Sequence, residues 1–465
     1  MMSNRNTAMA EVNDGRHFLN PFSDWDSSSG QSFELDSKWK NGIASRLKPL
    51  IEELSQQVSQ LSSSDTSMYT GLAGIGYFFH ILSMADNTYF DQKQRQQAAE
   101  TAQKIARRCL RHVDLSRLYK NVSVFTGAVG PLCLATLSYR SESEPGTARA
   151  AESSADECLK RILQAHEFVI PADSGMPDEA LYGRTGYLNA LIVLHTAGIS
   201  VPTDIVSSVV KAILFSGARG AKQYQVDGQY RALMHRSNRR DLPIPPLMFD
   251  WHDKAYLGGA HGFAGILLTL LKVHQLFPDV IQSDTMEQLI IPTVNWLSQL
   301  QLPSGNWPSS LGDSMTRDVL VHWCHGATGM IPLMIAAYKV PFCFAYSILK
   351  VKFLRSITQD ESYLQRAIKA GDTIWKRGLL HKGCGICHGS AGSGYGLLDL
   401  YRGTRNSMYL YRASKFAEWC TDFTKNRTRV ADRPFSLFEG MAGTLYFLVD
   451  MFDPMKAQFP LLSGP

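Results

Sequence analysis

The sequence predicts an all-α fold, an α/α toroid in which a ring of seven inner helices lies inside a ring of seven outer helices. Two observations predict it. A Gly-x-x-Gly pattern followed at once by an apolar run occurs seven times, at intervals of 51 to 79 residues. Between the copies lie segments whose apolar residues recur at i, i+3 and i+4 with charges on the opposite face, which is typical of surface helices. Internal repetition of this kind indicates one closed repeat architecture.

The elements follow in a regular order along the chain. Residues 1–35 are rich in Asn, Asp, Ser and Gly, so we expect a flexible N-terminal arm, whose segment HFLNPFSDW has enough aromatic side chains to dock on the rest of the protein. Residues 36–465 contain no long Pro- or Ser-rich linker, so we expect them to form one toroid domain. Each unit supplies an amphipathic outer helix, a glycine-bearing loop and an inner helix that is apolar nearly all round. The inner helices are expected to begin after Gly71, Gly127, Gly183, Gly262, Gly326, Gly389 and Gly440.

The glycines should let the chain turn tightly where it enters each inner helix, because glycine tolerates positive φ and close backbone approach. Closing the ring would gather the N-termini of the inner helices at one end. Their partial positive charge and free N–H groups would favour an anionic ligand there. We therefore expect the functional site at this end of the toroid.

Composition narrows the class of protein. With 45% apolar and 19% charged residues the chain has a large core, and global disorder is excluded. A net charge of +5 without a dense Lys/Arg block does not favour nucleic acid as a partner. Eight cysteines in 465 residues are too few for a disulfide scaffold, and the N-terminus lacks the apolar core of a signal peptide, so we expect a cytoplasmic protein.

The apolar stretch at residues 330–350 is nearly long enough to span a membrane. Lys339 lies at its centre, and Pro332 and Pro341 interrupt it. Charge at the middle of a bilayer is costly, so we interpret the stretch as a buried helix followed by an apolar insertion.

Two of the seven motifs are preceded by Cys-His, namely Cys324-His325 and Cys387-His388. Ring closure would bring both cysteines and one or both histidines together. Two thiolates and one imidazole are the ligands of a catalytic zinc ion that keeps its fourth position open, and thiolates favour zinc over magnesium or calcium. The alternatives are that these residues only pack in the core, or that Cys384 and Cys387 form a C-x-x-C redox pair.

Other polar side chains occupy equivalent places in the repeat. His261 directly precedes the fourth motif and could exchange protons near neutral pH. Tyr182 and Glu439 hold the same place before the third and seventh motifs. Arg184 and Lys382 supply positive charge near the expected site, which suits a partner that carries carboxylate or phosphate.

The segments LYGRTGYL, LGGAHGFAGI, VHWCHGATG, GICHGSAG and PFSLFEGMAGT resemble the eukaryotic lanthionine synthetase C-like (LanC-like) proteins, and favour their glutathione-binding branch. The resemblance runs from about residue 16 to the C-terminus. It implies an α/α toroid with one zinc ion held by Cys324, Cys387 and His388, and a glutathione molecule beside the metal. The residues that match the glutathione contacts are Arg16, Lys382, Arg429 and Asp432.

The resemblance also implies catalytic residues. His261 matches the active-site histidine of the bacterial lanthionine cyclases, and Glu179 stands where they carry an acidic residue. His325 is left either as a residue that supports the metal ligands or as a second acid/base residue. The chain departs from the pattern at Leu320, where the cyclases have arginine, and in the loop RVAD before SLFEG. The segment PFCFAYSILKV is additional chain relative to the family, at residues 341–351.

These features predict a zinc-dependent glutathione transferase that forms thioethers. The resemblance implies the substrates, which are dehydroalanine or dehydrobutyrine residues left in proteins or peptides after phosphate is eliminated from Ser or Thr. His261 or His325 would protonate the product, and Arg184, Lys382 and Arg429 would hold glutathione carboxylates or the formerly phosphorylated partner. One alternative is a non-catalytic glutathione sensor or signalling adaptor, either in the cytoplasm or peripheral at the plasma membrane. Another is a carbohydrate or terpenoid enzyme, for which only Glu179 and Glu439 are placed as carboxylates.

Overall fold

A computed structural model of the protein describes residues 15–26, 32–140, 148–171, 174–340, 360–422, 426 and 428–462. The expected insertion at residues 341–351 and the first 14 residues of the arm lie outside this part of the chain. Within it, fifteen α-helices of eight or more residues are present. They are α1 (Ser37–Gln57), α2 (Leu72–Ser83), α3 (Gln92–His112), α4 (Val129–Arg140), α5 (Ala148–Gln164), α6 (Arg184–Thr196), α7 (Thr203–Val226), α8 (Gln229–Arg236), α9 (Phe263–Leu276), α10 (Ile291–Ser298), α11 (Ala327–Lys339), α12 (Glu361–Arg377), α13 (Ser390–Thr404), α14 (Ser407–Thr421) and α15 (Met441–Asp450).

The predicted toroid is confirmed. The inner helices are α2, α4, α6, α9, α11, α13 and α15, each of which contacts the next, and α15 contacts α2 to close the ring. Every residue of α4 from Val129 to Tyr139 is buried, as expected of a helix enclosed on all sides. The outer helices α1, α3, α5, α7, α10, α12 and α14 surround this ring, and α8 is an additional short helix after α7.

The outer helix α3 shows why these segments fold as they do. Asp91 caps it: its side chain accepts a hydrogen bond from the Gln94 backbone N–H at 2.8 Å, while the Gln94 side chain accepts one from the Asp91 N–H at 3.1 Å. Its buried residues follow the helical period: Ala98, Ala102, Ile105, Ala106 and Cys109. The opposite face carries the charges, so the helix covers the inner ring with one side and meets solvent with the other.

The glycine motif is a capping loop. In α2, α6, α9, α13 and α15 the first helical N–H donates to a carbonyl seven residues earlier in the loop, at 2.7 to 3.1 Å. A Cβ on either glycine of a motif would collide with that returning loop; at Gly443, for example, it would meet the Leu437 carbonyl. Close approach therefore explains most of these glycines, whereas a positive φ of 107° occurs at Gly326 among the motif glycines. Our expectation of free N–H groups for an anion therefore does not hold for the first N–H of these five helices, which the loop already accepts.

The seven glycine loops form a closed belt at one end of the toroid. Each is joined to the next by a backbone hydrogen bond of 2.8 to 3.2 Å, and the seventh is joined to the first. The bonds run from Tyr69 N to Phe125 O, Val124 N to Gly186 O, Ala180 N to Ala260 O, Gly259 N to Trp323 O, Trp323 N to Cys387 O, Cys387 N to Phe438 O, and Phe438 N to Tyr69 O. Equivalent positions of neighbouring units are thereby held side by side.

Residues 15–26 of the arm lie docked beside this belt. His17 forms an antiparallel bridge with Leu380, and the Phe18 ring stacks 3.7 Å from His381. Asp24 accepts two hydrogen bonds from Arg412, at 2.6 and 2.9 Å. The expected docking of the segment HFLNPFSDW agrees with these contacts, and this part of the arm is packed on the toroid rather than free of it.

The centre of the ring is filled from the end opposite the belt by the C-terminal segment. The Phe459 ring lies 5.0 Å from Trp323, 5.4 Å from Tyr395 and 6.1 Å from Phe438. These rings pack beneath the cysteine-bearing loops. In the described residues, none of the helices has the length and apolar character needed to cross a membrane.

Candidate metal centre and active site

Cys324, Cys387 and His388 converge in the loop belt. Their ligand atoms all lie within 4.8 Å of one another, and no second cluster of this kind occurs among the residues that the structure describes. Both cysteines are buried and His388 is half-buried. The N–H groups of Trp323 and Cys324 both donate to the Cys387 carbonyl, at 3.1 and 3.3 Å, so the belt itself holds the two cysteine loops together.

The donor set and its spacing fit a zinc ion. Zinc–sulfur bonds are about 2.3 Å and zinc–nitrogen bonds about 2.0 Å, so the ligand atoms of a tetrahedral site lie about 3.5 to 3.8 Å apart. The three ligand atoms here all lie within 4.8 Å of one another, close enough to meet on one ion after a modest approach. Two cysteines and one histidine also leave the fourth tetrahedral position for another ligand. The cluster could therefore hold a metal ion.

The electrostatics of the cluster also favour a bound cation. Burial raises the pKa of the Cys387 thiol well above its usual value, and the adjacent Cys324 thiol raises it further, while His388 opposes these effects. The Cys387 thiol therefore resists ionisation unless a cation compensates its charge. Metal binding supplies that compensation and releases the protons.

Two residues in contact with this cluster do not stand out in the sequence. The Tyr69 hydroxyl donates a hydrogen bond to the Cys387 sulfur at 2.7 Å. The His322 Nδ1 lies 4.0 Å from the Cys324 sulfur, and its buried ring lies 6.0 Å from the His388 ring. Tyr69 could have been found from the repeat, because it stands two residues before its motif, as both cysteines do. For His322, the signal in the sequence is its position two residues before Cys324.

His261 and Glu179 form a hydrogen-bonded pair. The His261 Nδ1 lies 2.7 Å from the Glu179 Oε2, and the Glu179 side chain is almost fully buried. The same carboxylate accepts the backbone N–H groups of Leu181 and Tyr182, at 2.8 and 2.5 Å. Because the loop fixes the carboxylate and the carboxylate fixes the imidazole, Nε2 is the ring nitrogen left for a proton transfer.

Aromatic rings frame His261. The Tyr182 ring lies nearly parallel to the imidazole at 6.1 Å, and the Trp251 ring lies at 6.3 Å. Tyr256 lies 5.9 Å from His261 and 5.6 Å from His325, so it stands between the two histidines. These rings restrict the orientation of His261.

His325 lies in the same region, with its Nδ1 buried and without a hydrogen-bond partner among the described residues. Burial, and then the neighbouring His261, lower the pKa of His325 to about 4. Its imidazole is therefore neutral at pH 7. A neutral imidazole with an unsatisfied ring nitrogen can accept or donate a hydrogen bond to a bound ligand.

The predicted glutathione residues Arg16, Lys382 and Arg429 are brought together around one short strand-like segment. The His381 N–H donates to the Arg16 carbonyl at 3.0 Å, and the Arg429 N–H donates to the His381 carbonyl at 2.8 Å. Arg16 and Lys382 both contribute to lowering the pKa of His322, after its burial and His388, so positive charge lies close to the cysteine cluster.

The fourth residue of that set, Asp432, pairs with Arg429 across the loop. The Arg429 Nη2 lies 2.7 Å from the Asp432 Oδ1, and both side chains are exposed. An exposed pair of this kind contributes little to stability. It leaves both side chains accessible to a ligand.

Arg184 has a role different from the one that we expected. Its guanidinium is buried and donates to the Val169, Met176 and Pro171 carbonyls, the Ser174 hydroxyl and the Asp178 carboxylate. These five acceptors use all five N–H donors of an arginine. Arg184 therefore holds the loop before α6 in place and has no donor left for a substrate carboxylate.

The C-x-x-C interpretation receives no support from the contacts. The Cys420 thiol is hydrogen-bonded to the Cys384 thiol, while Cys387 faces Cys324 and His388. Cys109, Cys133, Cys158 and Cys420 are buried in helices, as expected for packing residues.

Comparison with known proteins gives a consistent family and fold. The family described as lanthionine synthetase C-like protein matches residues 62–463. Over 430 residues the chain is 34% identical to a protein of Danio rerio named glutathione S-transferase LANCL1, covering 92% of each. Among solved structures, nisin cyclase matches with a TM-score of 0.53 and 14% identity, over 90% of this chain and 97% of that one. The last similarity supports the fold alone.

Proposed function

The chain belongs to the lanthionine synthetase C-like family, and on this premise we propose that it is a zinc-dependent glutathione transferase. In this proposal it joins the glutathione thiol to dehydroalanine or dehydrobutyrine residues of proteins or peptides. The observation that carries the proposal is the cluster of Cys324, Cys387 and His388, which lies in the same loop belt as the His261–Glu179 pair. The name of the zebrafish relative supports glutathione as the thiol.

Cys324, Cys387 and His388 would hold the zinc ion. A zinc ion in such a site lowers the pKa of a thiol bound at its fourth position from about 8.5, so that the thiolate is available at neutral pH. Cys324 and Cys387, as thiolates, would balance the charge of the ion, so a third sulfur would stay nucleophilic. The belt keeps the ligand loops in register, so the residues need little rearrangement to bind.

Arg16, Lys382 and Arg429 would orient glutathione. The tripeptide carries two carboxylates, which suit paired cations. The main chains of Arg16 and Arg429 flank residue 381, and the charges of Arg16 and Lys382 act on His322 beside Cys324. Asp432 would receive the amino group of the ligand, because it is the exposed carboxylate of this loop. We omit Arg184 from this set, because its donors are all engaged within the protein.

His261 would deliver the proton that completes the addition. The glutathione sulfur forms a bond to the β-carbon of the alkene, the π bond breaks, and the α-carbon receives a proton. The thiol proton lost on binding is thus replaced, and no oxidant or reductant is needed. Glu179 holds the His261 Nδ1, which stabilises the protonated imidazole before it donates from Nε2.

The proposal is tested by metal content and turnover together. Zinc per chain is measured for the wild type and for Cys324→Ala, Cys387→Ala and the control Cys133→Ala, whose cysteine is buried in α4 away from the cluster. One zinc ion per chain should be lost in either ligand variant and retained in the control. Unchanged zinc in the ligand variants would contradict the proposal.

A non-catalytic glutathione sensor is separated from the enzyme by His261→Ala. Addition of glutathione to a dehydroalanine peptide should fall about 10²- to 10⁴-fold, the usual contribution of a positioned acid or base. Zinc content and glutathione affinity should remain unchanged, because His261 is not among the residues proposed to bind either. Unchanged turnover would favour the sensor and would remove His261 from the mechanism.

A further inference from the structure

Tyr69 holds the position in the first unit that the two cysteine ligands hold in the fifth and sixth. All three stand two residues before the first glycine of their motif. Because the ring closes, the first unit lies beside the seventh, and the seventh lies beside the sixth. Tyr69 is thereby brought next to Cys387, although 318 residues separate them in the chain.

The backbone of Tyr69 is fixed on both sides by the belt. Its N–H donates to the Phe125 carbonyl at 2.8 Å, and its carbonyl accepts the Phe438 N–H at 3.1 Å. The Phe438 N–H and carbonyl thus link Tyr69 to Cys387, whose N–H donates to Phe438 at 2.9 Å. The main chain of Tyr69 is therefore linked through Phe438 to the loop that carries Cys387.

The Tyr69 side chain is also held in one orientation. The Tyr69 ring stacks on Phe438, with centroids 4.5 Å apart and planes 18° apart. This packing points the hydroxyl at Cys387, where it lies 2.7 Å from the sulfur. A sulfur ligand of a metal ion carries no proton, so the Tyr69 hydroxyl is the donor of this hydrogen bond.

We propose that Tyr69 is a positioning residue of the metal centre, whose O–H donates to the Cys387 thiolate and sets how much negative charge that sulfur gives to the ion. This inference rests on the proposed function, because it concerns the same site. With zinc and glutathione both bound, the thiolates of Cys324, Cys387 and glutathione would surround one divalent cation, and the centre would carry a net negative charge. A hydrogen bond to one sulfur withdraws part of that charge and stabilises the buried thiolate.

Removing the hydroxyl has two consequences. Cys387 would be a buried thiolate with one fewer hydrogen bond, so its deprotonation on metal binding would cost more and zinc affinity would fall. The sulfur would also donate more charge to the ion, which would then lower the pKa of the incoming thiol less. Both effects arise at the metal and require no change in the fold.

The test compares Tyr69→Phe with the wild type and with Tyr77→Phe. Tyr77 is also buried, but its ring lies 6.2 Å from Tyr446 in the inner ring, and its described interactions do not include Cys324 or Cys387. Zinc affinity, measured by competition with a chromophoric chelator, should fall about 10- to 100-fold for Tyr69→Phe, the range found when such outer partners are removed. Tyr77→Phe should bind zinc as the wild type does.

Two further measurements distinguish a tuned metal site from a loss of packing. In the cobalt-substituted protein, the sulfur-to-cobalt charge-transfer band should move to longer wavelength in Tyr69→Phe alone, because its sulfur is more electron-rich. The acid limb of the pH profile of kcat/KM should move to higher pH. Zinc affinity and charge-transfer energy equal to those of the wild type would overturn the inference.

The outcomes also separate this inference from the proposed function. A wild-type protein without zinc would overturn both. A zinc protein in which Tyr69→Phe leaves affinity and spectrum unchanged would overturn the role of Tyr69 alone. Loss of turnover with unchanged zinc affinity and spectrum would likewise contradict it, since Tyr69 would then act on the substrate and not on the metal.

Discussion

The Glu179–His261 pair offers the sharpest test of the proposed chemistry. Glu179→Gln keeps the size of the side chain but replaces one acceptor oxygen by an NH2 group. Glu179 receives three donors, from His261, Leu181 and Tyr182, and it is almost fully buried. The amide must therefore turn its NH2 toward at least one N–H donor, either in the loop or on the imidazole.

The magnitude follows from which contact is lost. If the NH2 faces His261, the imidazole must present an unprotonated Nδ1, and the protonated form loses the carboxylate that stabilises it. The expected loss in kcat is then about 10²- to 10⁴-fold, the contribution of an acid or base together with its orienting partner. In that orientation the Leu181 N–H, which shares Oε2 with His261, also loses its acceptor. If the NH2 takes the place of Oε1, the Tyr182 N–H is the donor left unsatisfied, and the cost is about 1–3 kcal/mol of stability.

Both quantities are measured on the same protein. Turnover is followed with a dehydroalanine peptide and glutathione, and stability by urea denaturation with zinc content checked. The control is Asp178→Asn, a neighbouring buried carboxylate that binds Arg184 and Ser216 and contacts neither histidine. The control should lose stability and keep its kcat. A Glu179→Gln variant with both wild-type kcat and wild-type stability would refute the role assigned to the pair.

Two other predictions concern the docked arm and a buried carboxyl group. Asp24→Asn removes the Asp24–Arg412 ion pair that anchors the arm, so glutathione should bind several-fold more weakly when its affinity is measured by calorimetry. The control Asp372→Asn removes the other acidic partner of Arg412 and should leave the affinity unchanged. Equal effects of the two substitutions would contradict an anchoring role for Asp24. Burial raises the pKa of Asp450, which accepts the Tyr395 hydroxyl, to about 7. The folded protein thus keeps this proton while the unfolded chain releases it above about pH 4, so the free energy of unfolding should fall between about pH 4 and 7 by up to about 1.4 kcal/mol per pH unit. Asp450→Asn should make urea denaturation less dependent on pH over this window, and an unchanged dependence would contradict the shift.

Local pattern was sufficient for the fold and for part of the site. The seven Gly-x-x-Gly motifs predicted seven inner helices, because glycine and an all-apolar run are constraints that each unit satisfies by itself. The same repeat placed Cys324, Cys387 and His388 at one end. The assignment of His388, and not His325, as the third ligand came from the family resemblance, and the cluster agrees with it.

Contacts between distant parts of the chain decided the rest. Arg184 looks like a free cation in the sequence, yet it is enclosed by acceptors from the loop before α6. The N–H groups at the inner helix ends are taken by carbonyls seven residues earlier, which the apolar pattern does not reveal. Tyr69 meets Cys387 only because the last unit closes on the first. Residue type and spacing are properties of the chain alone, so the sequence is enough to identify the apolar residues, the residues that favour turns and the candidate metal ligands. The polar groups that remain available to a ligand emerge only in the folded ring, because hydrogen bonds between units depend on how the ring closes.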